Sequence, residues 1–232
     1  TTRGGIGILT MYDDSMGVLT QFLLRRTDLV TWGAEIDAES VAYLHAHYPE
    51  FAPRLIEGDF LKMDLRVRFP RGLRIIGNFP YNISSQIFFR ALEYRDLVPE
   101  CVGMVQREVA VRIAEGPGSK EYGILSVLLQ AWYDIEYLFT VSETVFSPPP
   151  KVKSAVIRLR RNATRRLACD EALFVRVVKA AFGQRRKMIR NALRAAFGDF
   201  GGAEHPFFTR RAEQLSVADF VALTNWVAEH RA

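Results

Sequence analysis

Leu73-Arg74-Ile75-Ile76-Gly77-Asn78-Phe79-Pro80-Tyr81 decides how the rest of the chain is read. Its first five residues form a short, mostly apolar run with paired isoleucines at the centre, which predicts a buried strand. Pro80 cannot donate to a strand ladder and pre-sets a turn. The strand therefore stops near Asn78, and the polar string Asn78 to Tyr81 stands at its carboxyl end. The same alternation extends outward in both directions. On the N-terminal side, residues 6–10 are a short apolar run. Residues 16–26 place Val18, Leu19, Phe22 and Leu23 at helical spacing. Residues 29–36 read as a strand, Asp37 as the cap of a helix through Leu44, and residues 54–57 as a third strand. On the C-terminal side, residues 84–92 are helical and 101–106 form a fifth strand. Residues 107–114 and 122–132 read as helices, and 135–141 and 154–159 as two closing strands. Strands alternating with helices predict a parallel sheet covered on both faces. In such sheets a ligand sits beyond the carboxyl ends of the strands, where Asn78 to Tyr81 lie.

The remainder of the chain has a different character. Pro148-Pro149-Pro150 is a rigid, extended punctuation mark. From about residue 162 the pattern is wholly helical, with Phe174, Val177, Val178 and Ala181 on one face. Ser216 and Asp219 have the spacing of a capping box that opens a last helix through Phe220, Leu223 and Val227. The expected division is an α/β nucleotide-binding domain over 1–161 and a small helical domain over 162–232. No internal repeat or low-complexity stretch interrupts either.

Bulk composition sets outer limits. A chain of 232 residues with 49% hydrophobic and 25% charged residues is ordinary for a soluble protein with a core of useful size. No apolar run approaches the ~20 residues that a membrane helix needs. The opening Thr1-Thr2-Arg3-Gly4-Gly5 lacks the apolar stretch of a signal peptide. Cys101 and Cys169 stand far apart, which gives neither a disulfide framework nor zinc spacing and fits a reducing cytoplasm. His45 and His47 are two apart on an expected helix and point different ways, so no metal site is expected. The net charge of +5 is unevenly spread. Between Arg158 and Arg194 stand 12 Lys and Arg against Asp170 and Glu171, a net +10, so the rest of the chain sums to −5. Such clustering fits a polyanion partner, nucleic acid above all. The plainer alternative is a solvated helical surface.

The residue types at 78–81 suit one chemistry. The exocyclic N6 of adenine is a poor nucleophile, because its lone pair is delocalised into the ring. The amide oxygen of Asn78 and a backbone carbonyl near Phe79 or Pro80 can accept its two N–H bonds, turning the nitrogen toward tetrahedral geometry. Tyr81 offers a flat face on which a flipped-out base can stack. Neither a metal nor a strong general base is needed, since positioning supplies most of the rate. Two acids suit a nucleoside donor. Glu35, at the end of the second strand, can accept both ribose hydroxyls, as in dinucleotide-binding folds. Asp59 follows the third strand in Gly58-Asp59-Phe60-Leu61 and can accept an adenine amino group, with Phe60 packing nearby. Asp37 and Asp59 would also serve as ordinary helix caps.

The string Asn78-Phe79-Pro80-Tyr81-Asn82-Ile83-Ser84-Ser85 resembles the catalytic motif of the ribosomal RNA adenine-N6,N6 dimethyltransferases that modify the small subunit. Four further stretches are similar to motifs of that family. They are Val105-Gln106-Arg107-Glu108-Val109-Ala110, the run from Phe146 through Pro148-Pro149-Pro150-Lys151 to Ser154, Gln184-Arg185-Arg186-Lys187 with Arg190-Asn191, and Arg211-Ala212-Glu213-Gln214-Leu215-Ser216. All five occur in the family's order. The resemblance implies a Rossmann-like methyltransferase sheet with a small all-helical RNA-binding domain, and S-adenosylmethionine as donor. It implies a substrate of two adjacent adenosines near the 3′ end of small-subunit ribosomal RNA, each methylated twice during ribosome biogenesis. It implies catalytic roles for Asn78, Phe79, Pro80 and Tyr81. Donor contacts would come from Gly17, Glu35, Asp59, Phe60 and Asn78, and RNA contacts from Phe146, Arg185, Arg186, Lys187 and Arg190. The three residues Arg185 to Lys187, with Arg190 and Arg194, are expected to line one side of a basic helix. The partner would be the RNA or a pre-30S particle, met in the cytoplasm by a monomer.

One stretch departs from the family. Its members carry a Glu and a Gly-x-Gly-x-Gly loop after the first strand, where bare backbone approaches the methionine end of the donor. Here Met11-Tyr12-Asp13-Asp14-Ser15-Met16-Gly17 stands in that place, and only Gly17 matches. The family's Gln-x-Phe-Leu-type string, which lies over the donor, does not precede it. Weak donor binding is therefore expected. Two other readings remain at this point: a ribosome-assembly factor that keeps only the RNA face, and an erythromycin-resistance methyltransferase acting on large-subunit RNA. The Pro148 to Val152 stretch and the basic segment favour the small-subunit family over the latter.

Overall fold

The computed structural model describes residues 7–11, 18–146 and 148–231. The chain folds as two compact units. The first holds the described residues up to Ala110 together with Asp134–Arg161. The second holds Val111–Tyr133 and the described part of Asn162–Ala232.

The first unit is built on a seven-stranded sheet. Its strands are β1 (Gly7–Met11), β2 (Val30–Glu35), β3 (Leu55–Glu57), β4 (Leu73–Asn78), β5 (Glu100–Gln106), β6 (Tyr133–Val141) and β7 (Ser154–Arg161). They lie in the order β3-β2-β1-β4-β5-β7-β6. Strands β1 to β5 pair in parallel, and β7 runs antiparallel to β5. Leu73 and Ile75 of β4, and Cys101 and Val105 of β5, are buried, while their alternate neighbours are only half-covered. One face of these central strands is fully buried and the other is partly covered. The helices of this unit are α1 (Val18–Leu24), α2 (Ala38–His47), α3 (Leu65–Arg68), α4 (Ser84–Glu93) and the first half of α5 (Arg107–Ala114). Asp37 caps α2 as expected, accepting from the Ser40 amide, and that bond holds its carboxyl below the ordinary carboxylate range. His45 pairs with Glu57 at 2.9 Å while His47 stacks on Tyr43, so the two histidines do face different ways.

Chain order reverses around β1, whose neighbours are β2 and β4. This is the switch point at which open α/β sheets bind ligands. The register aligns Met11 with Ala34 on one side and Gly77 on the other, so β1 ends between Glu35 and Asn78. The chain runs from β1 to α1 through residues 12–17. Gly17, and the departures at Asp13, Asp14 and Ser15, lie outside the described residues.

The second unit is helical: the end of α5, α6 (Ile124–Gln130), α7 (Glu171–Gly183), α8 (Ile189–Phe197) and α9 (Val217–His230). Leu173, Phe174, Val177, Val178 and Ala181 form the buried face of α7, and Phe220, Leu223 and Val227 that of α9. The Phe182 and Phe220 rings meet 5.8 Å apart. Ser216 and Asp219 make the expected capping box in both directions, at 2.9 and 3.1 Å. The division differs from a single cut at residue 161. The chain enters this unit at Val111, returns to the sheet at Asp134, and enters again at Asn162. Residues 111–133 stay because α6 packs on α7 and α9, and because Gly118 N donates to Glu213 O at 2.7 Å. Among the described residues no helix is long and apolar enough to cross a membrane.

Candidate active site

At the carboxyl end of β4, Asn78, Phe79, Pro80 and Tyr81 line a cleft of about 180 Å³ with Phe146, Pro148 and Pro150. The fold thus brings together two motifs that stand almost seventy residues apart in sequence. The backbone of the first is fixed by its neighbour strand: Asn78 is in register with Met104, and Phe79 N donates to Met104 O at 3.0 Å. Pro80 then turns the chain, and its carbonyl accepts from Ile83 N at 3.1 Å.

The four residues of the motif have separate places. Phe79 is 1% exposed, and its ring sits edge-on to Phe88 with centroids 5.4 Å apart. Beneath it lies Gly103 of β5, where a Cβ would fall 2.3 Å from the ring. Gly103 is therefore what lets Phe79 drop into the core and hold the loop against the sheet. The Phe79 side chain anchors the loop, leaving only its backbone carbonyl to serve the chemistry. Because the Pro80 carbonyl is already taken by Ile83, the Phe79 carbonyl is the better second acceptor beside the Asn78 amide. Tyr81 is half-buried, and its hydroxyl pairs with Ser154 Oγ at 2.6 Å. Phe146 follows the 3₁₀ turn Glu143–Val145, whose start is capped by Ser142.

Glu35 ends β2 and is 6% exposed. Its Oε1 accepts from both Ile36 N and Asp37 N at 2.8 Å. Both bonds fall on one oxygen, so they leave the second to face a ligand. Glu35, Ile36, Gly58 and residues of α2 line an open cavity of about 470 Å³. A half-capped buried carboxylate beside an open cavity suits a ribose diol. Asp59 caps the turn Phe60–Lys62 through Leu61 N at 2.9 Å, and Lys62 Nζ lies 3.7 Å from its Oδ2. It thus does the capping work that its position allows, on the rim where β3 ends. Phe60 is 0% exposed, so its ring belongs to the core and cannot lie against a donor as expected. The exposed apolar residue here is Ile36, at 57%, for which the sequence pattern gives no sign of a role.

The basic segment differs most from expectation. Arg185, Arg186 and Lys187 occupy the turn between α7 and α8, so they do not share one helical face with Arg190 and Arg194. The helix ends at Gly183, and Arg185 in the turn beyond it is held by its partners: its Nε donates to Glu213 Oε2 at 3.1 Å and its guanidinium also donates to the Lys120 carbonyl. Arg190 pairs with Glu204 and Arg194 with Asp199. Arg186 and Lys187 are exposed.

Residues 15–229 match the family described as ribosomal RNA adenine dimethylase. This chain belongs to that family. It is 59% identical over 216 residues to the ribosomal RNA small subunit methyltransferase A of Bacteroides thetaiotaomicron, an alignment covering 92% of this chain and 80% of the relative. In structure it is similar to a dimethyladenosine transferase from Plasmodium falciparum, with a TM-score of 0.78, 21% identity, and coverage of 97% and 90% of the two chains. It is also similar to the 23S rRNA methyltransferase ErmE, with a TM-score of 0.66, 23% identity, and coverage of 95% and 91%. At those identities the two structures speak to the fold.

Proposed function

We propose that this protein transfers methyl groups from S-adenosylmethionine to the N6 atoms of two adjacent adenosines near the 3′ end of small-subunit ribosomal RNA, twice each. The observation that carries the reading is the cleft in which Asn78, Tyr81 and Phe146 meet at the carboxyl end of β4. The strong identity to a small-subunit methyltransferase supports that substrate over large-subunit RNA and over a binding role without catalysis. When bound, the donor supplies a methyl group on a positively charged sulfur. Glu35 would hold its ribose, Ile36 would cover the base, and Asp59 would face the adenine amino group. The Asn78 amide oxygen and the Phe79 carbonyl accept the two N6–H bonds and aim the lone pair. Tyr81 stacks against the flipped base, and Phe146 with the prolines walls the cleft, excluding water. The protein acts as a monomer on the RNA or a pre-30S particle in the cytoplasm. Incubation with methyl-labelled donor and unmethylated small-subunit particles, followed by nucleoside digestion, should yield N6,N6-dimethyladenosine. Label in another nucleoside, or none at saturating donor, would overturn the assignment.

In this reading the helical unit carries RNA affinity through phosphates, which it meets without reading sequence. Exposed Arg186 and Lys187 are its free contacts, whereas Arg185 and Arg190 first hold Glu213 and Glu204. Binding should weaken steeply with salt. Removing Arg186 and Lys187 together should lower the log–log slope by roughly 1.4–1.8, at about 0.7–0.9 for each phosphate contact. An unchanged slope would mean that these two charges are only solvated.

A further inference from the structure

Ser154 is not among the residues that the sequence suggests for the site. It is the first residue of β7 and fully buried. Its backbone is in register with Gln106, and the adjacent Lys153 carbonyl accepts from Arg107 N at 2.9 Å. Its hydroxyl therefore stands on a rigid frame two strands away from β4. That hydroxyl meets the Tyr81 hydroxyl at 2.6 Å. Pro148 and Pro150, which line the same cleft, lie only a few residues before it. One hydrogen bond thus ties the stacking ring to the strand that follows those prolines.

The consequence follows from counting N–H bonds, and it rests on the proposed N6 chemistry. Each transfer forms one N6–carbon bond as the donor's sulfur–carbon bond breaks, and N6 then releases one proton to solvent. Adenosine enters with two N–H bonds for the Asn78 amide and the Phe79 carbonyl. N6-methyladenosine enters the second round with one. Half of the polar positioning is gone, so stacking on Tyr81 carries more of the alignment. We infer that Ser154 is a positioning residue for the second methyl transfer, acting through Tyr81 by fixing the place of its ring.

The test compares Ser154→Ala, Tyr81→Phe and the double variant with the unaltered protein at saturating donor, on unmethylated small-subunit particles. The readout is the ratio of N6-methyl- to N6,N6-dimethyladenosine after digestion. Each single variant should slow the second transfer more than the first, raising that ratio roughly 2- to 10-fold, the worth of one hydrogen bond. The double variant should show no further rise, because both changes break the same bond. Tyr81→Phe removes one oxygen from a half-buried ring, so it carries the test if Ser154→Ala folds poorly. An unchanged ratio in a protein that still dimethylates would overturn the inference and leave the activity standing. So would a rise in Ser154→Ala that Tyr81→Phe lacks. A donor-free arm separates the two readings if no methylation is seen: an RNA carrying 2-aminopurine at the target adenosine. Stacking on a fixed Tyr81 should quench its fluorescence in the complex, and Ser154→Ala should relieve the quench. Equal quenching would sink the role assigned to Ser154.

Discussion

Asn78→Ala lowers methyl transfer by about 10²–10³-fold while RNA affinity stays nearly unchanged, the size expected for one oriented polar contact that matters in the transition state. In the proposed chemistry the amide oxygen matters most while N6 is changing shape. In free adenosine the nitrogen is planar and its lone pair is shared with the ring. As the N–C bond forms, the nitrogen turns tetrahedral and its N–H bonds grow more acidic, so an acceptor fixed at the end of β4 gains strength at that moment. Alanine keeps the backbone pairing through which Asn78 stands in register with Met104 and leaves the Phe79 anchor over Gly103 in place. The loss should therefore appear in the rate under single-turnover conditions, with thermal stability little altered. RNA affinity should hold if, as proposed, it comes from phosphate contacts on the helical unit. Equal single-turnover rates for the variant and the unaltered protein would remove Asn78 from the reaction.

How far the sequence leads is clear from particular residues. The strand at 73–77 and the string after it are legible because their physics is local: an apolar run, then an asparagine and a proline that cannot extend it. Glu35 is legible for the same reason, being an acid at the end of an apolar strand. The side chains of Phe79 and Phe60 are not. Whether an aromatic ring faces a ligand or the core depends on what lies across the sheet, and Gly103, which receives Phe79, is twenty-four residues away. Ser154 is hidden likewise, since its partner Tyr81 follows another strand. The basic segment misleads because charge spacing of 185, 186, 187, 190 and 194 fits a helix. Arg185, though, lies in a turn and pairs with Glu213 and the Lys120 carbonyl, both remote in sequence. The excursion of residues 111–133 into the helical unit has the same cause, since its partners in α7 and α9 come later in the chain.

Restoring the family's donor loop, with Met11→Glu, Asp13→Gly, Asp14→Pro and Ser15→Gly together, should raise affinity for S-adenosylmethionine by about 10- to 100-fold. That is the worth of one charge-assisted hydrogen bond of about 1.5–3 kcal/mol. The position explains the size. Met11 ends β1 between the strands that carry Glu35 and Asn78, at the sheet's switch point. A glutamate there gives the donor's amino group the acidic partner that methionine cannot. By the family's pattern the stretch that holds Asp13 and Asp14 receives the donor's carboxylate, and two added negative charges there would repel it. Where the family's pattern has glycine this sequence has Asp13 and Ser15, residue types that carry a Cβ and disfavour positive φ. In the proposed reading the nucleoside half is held elsewhere, by Glu35, one of whose oxygens accepts from two backbone amides, and by exposed Ile36 beside it. The unaltered chain should accordingly bind adenosine about as well as it binds the whole donor, whereas the restored chain should prefer the donor clearly. Calorimetry with both ligands on both proteins reads this directly. A donor affinity in the unaltered chain equal to that of the restored one would show that residues 11–15 hold the methionine end by contacts other than the family's glutamate and glycines.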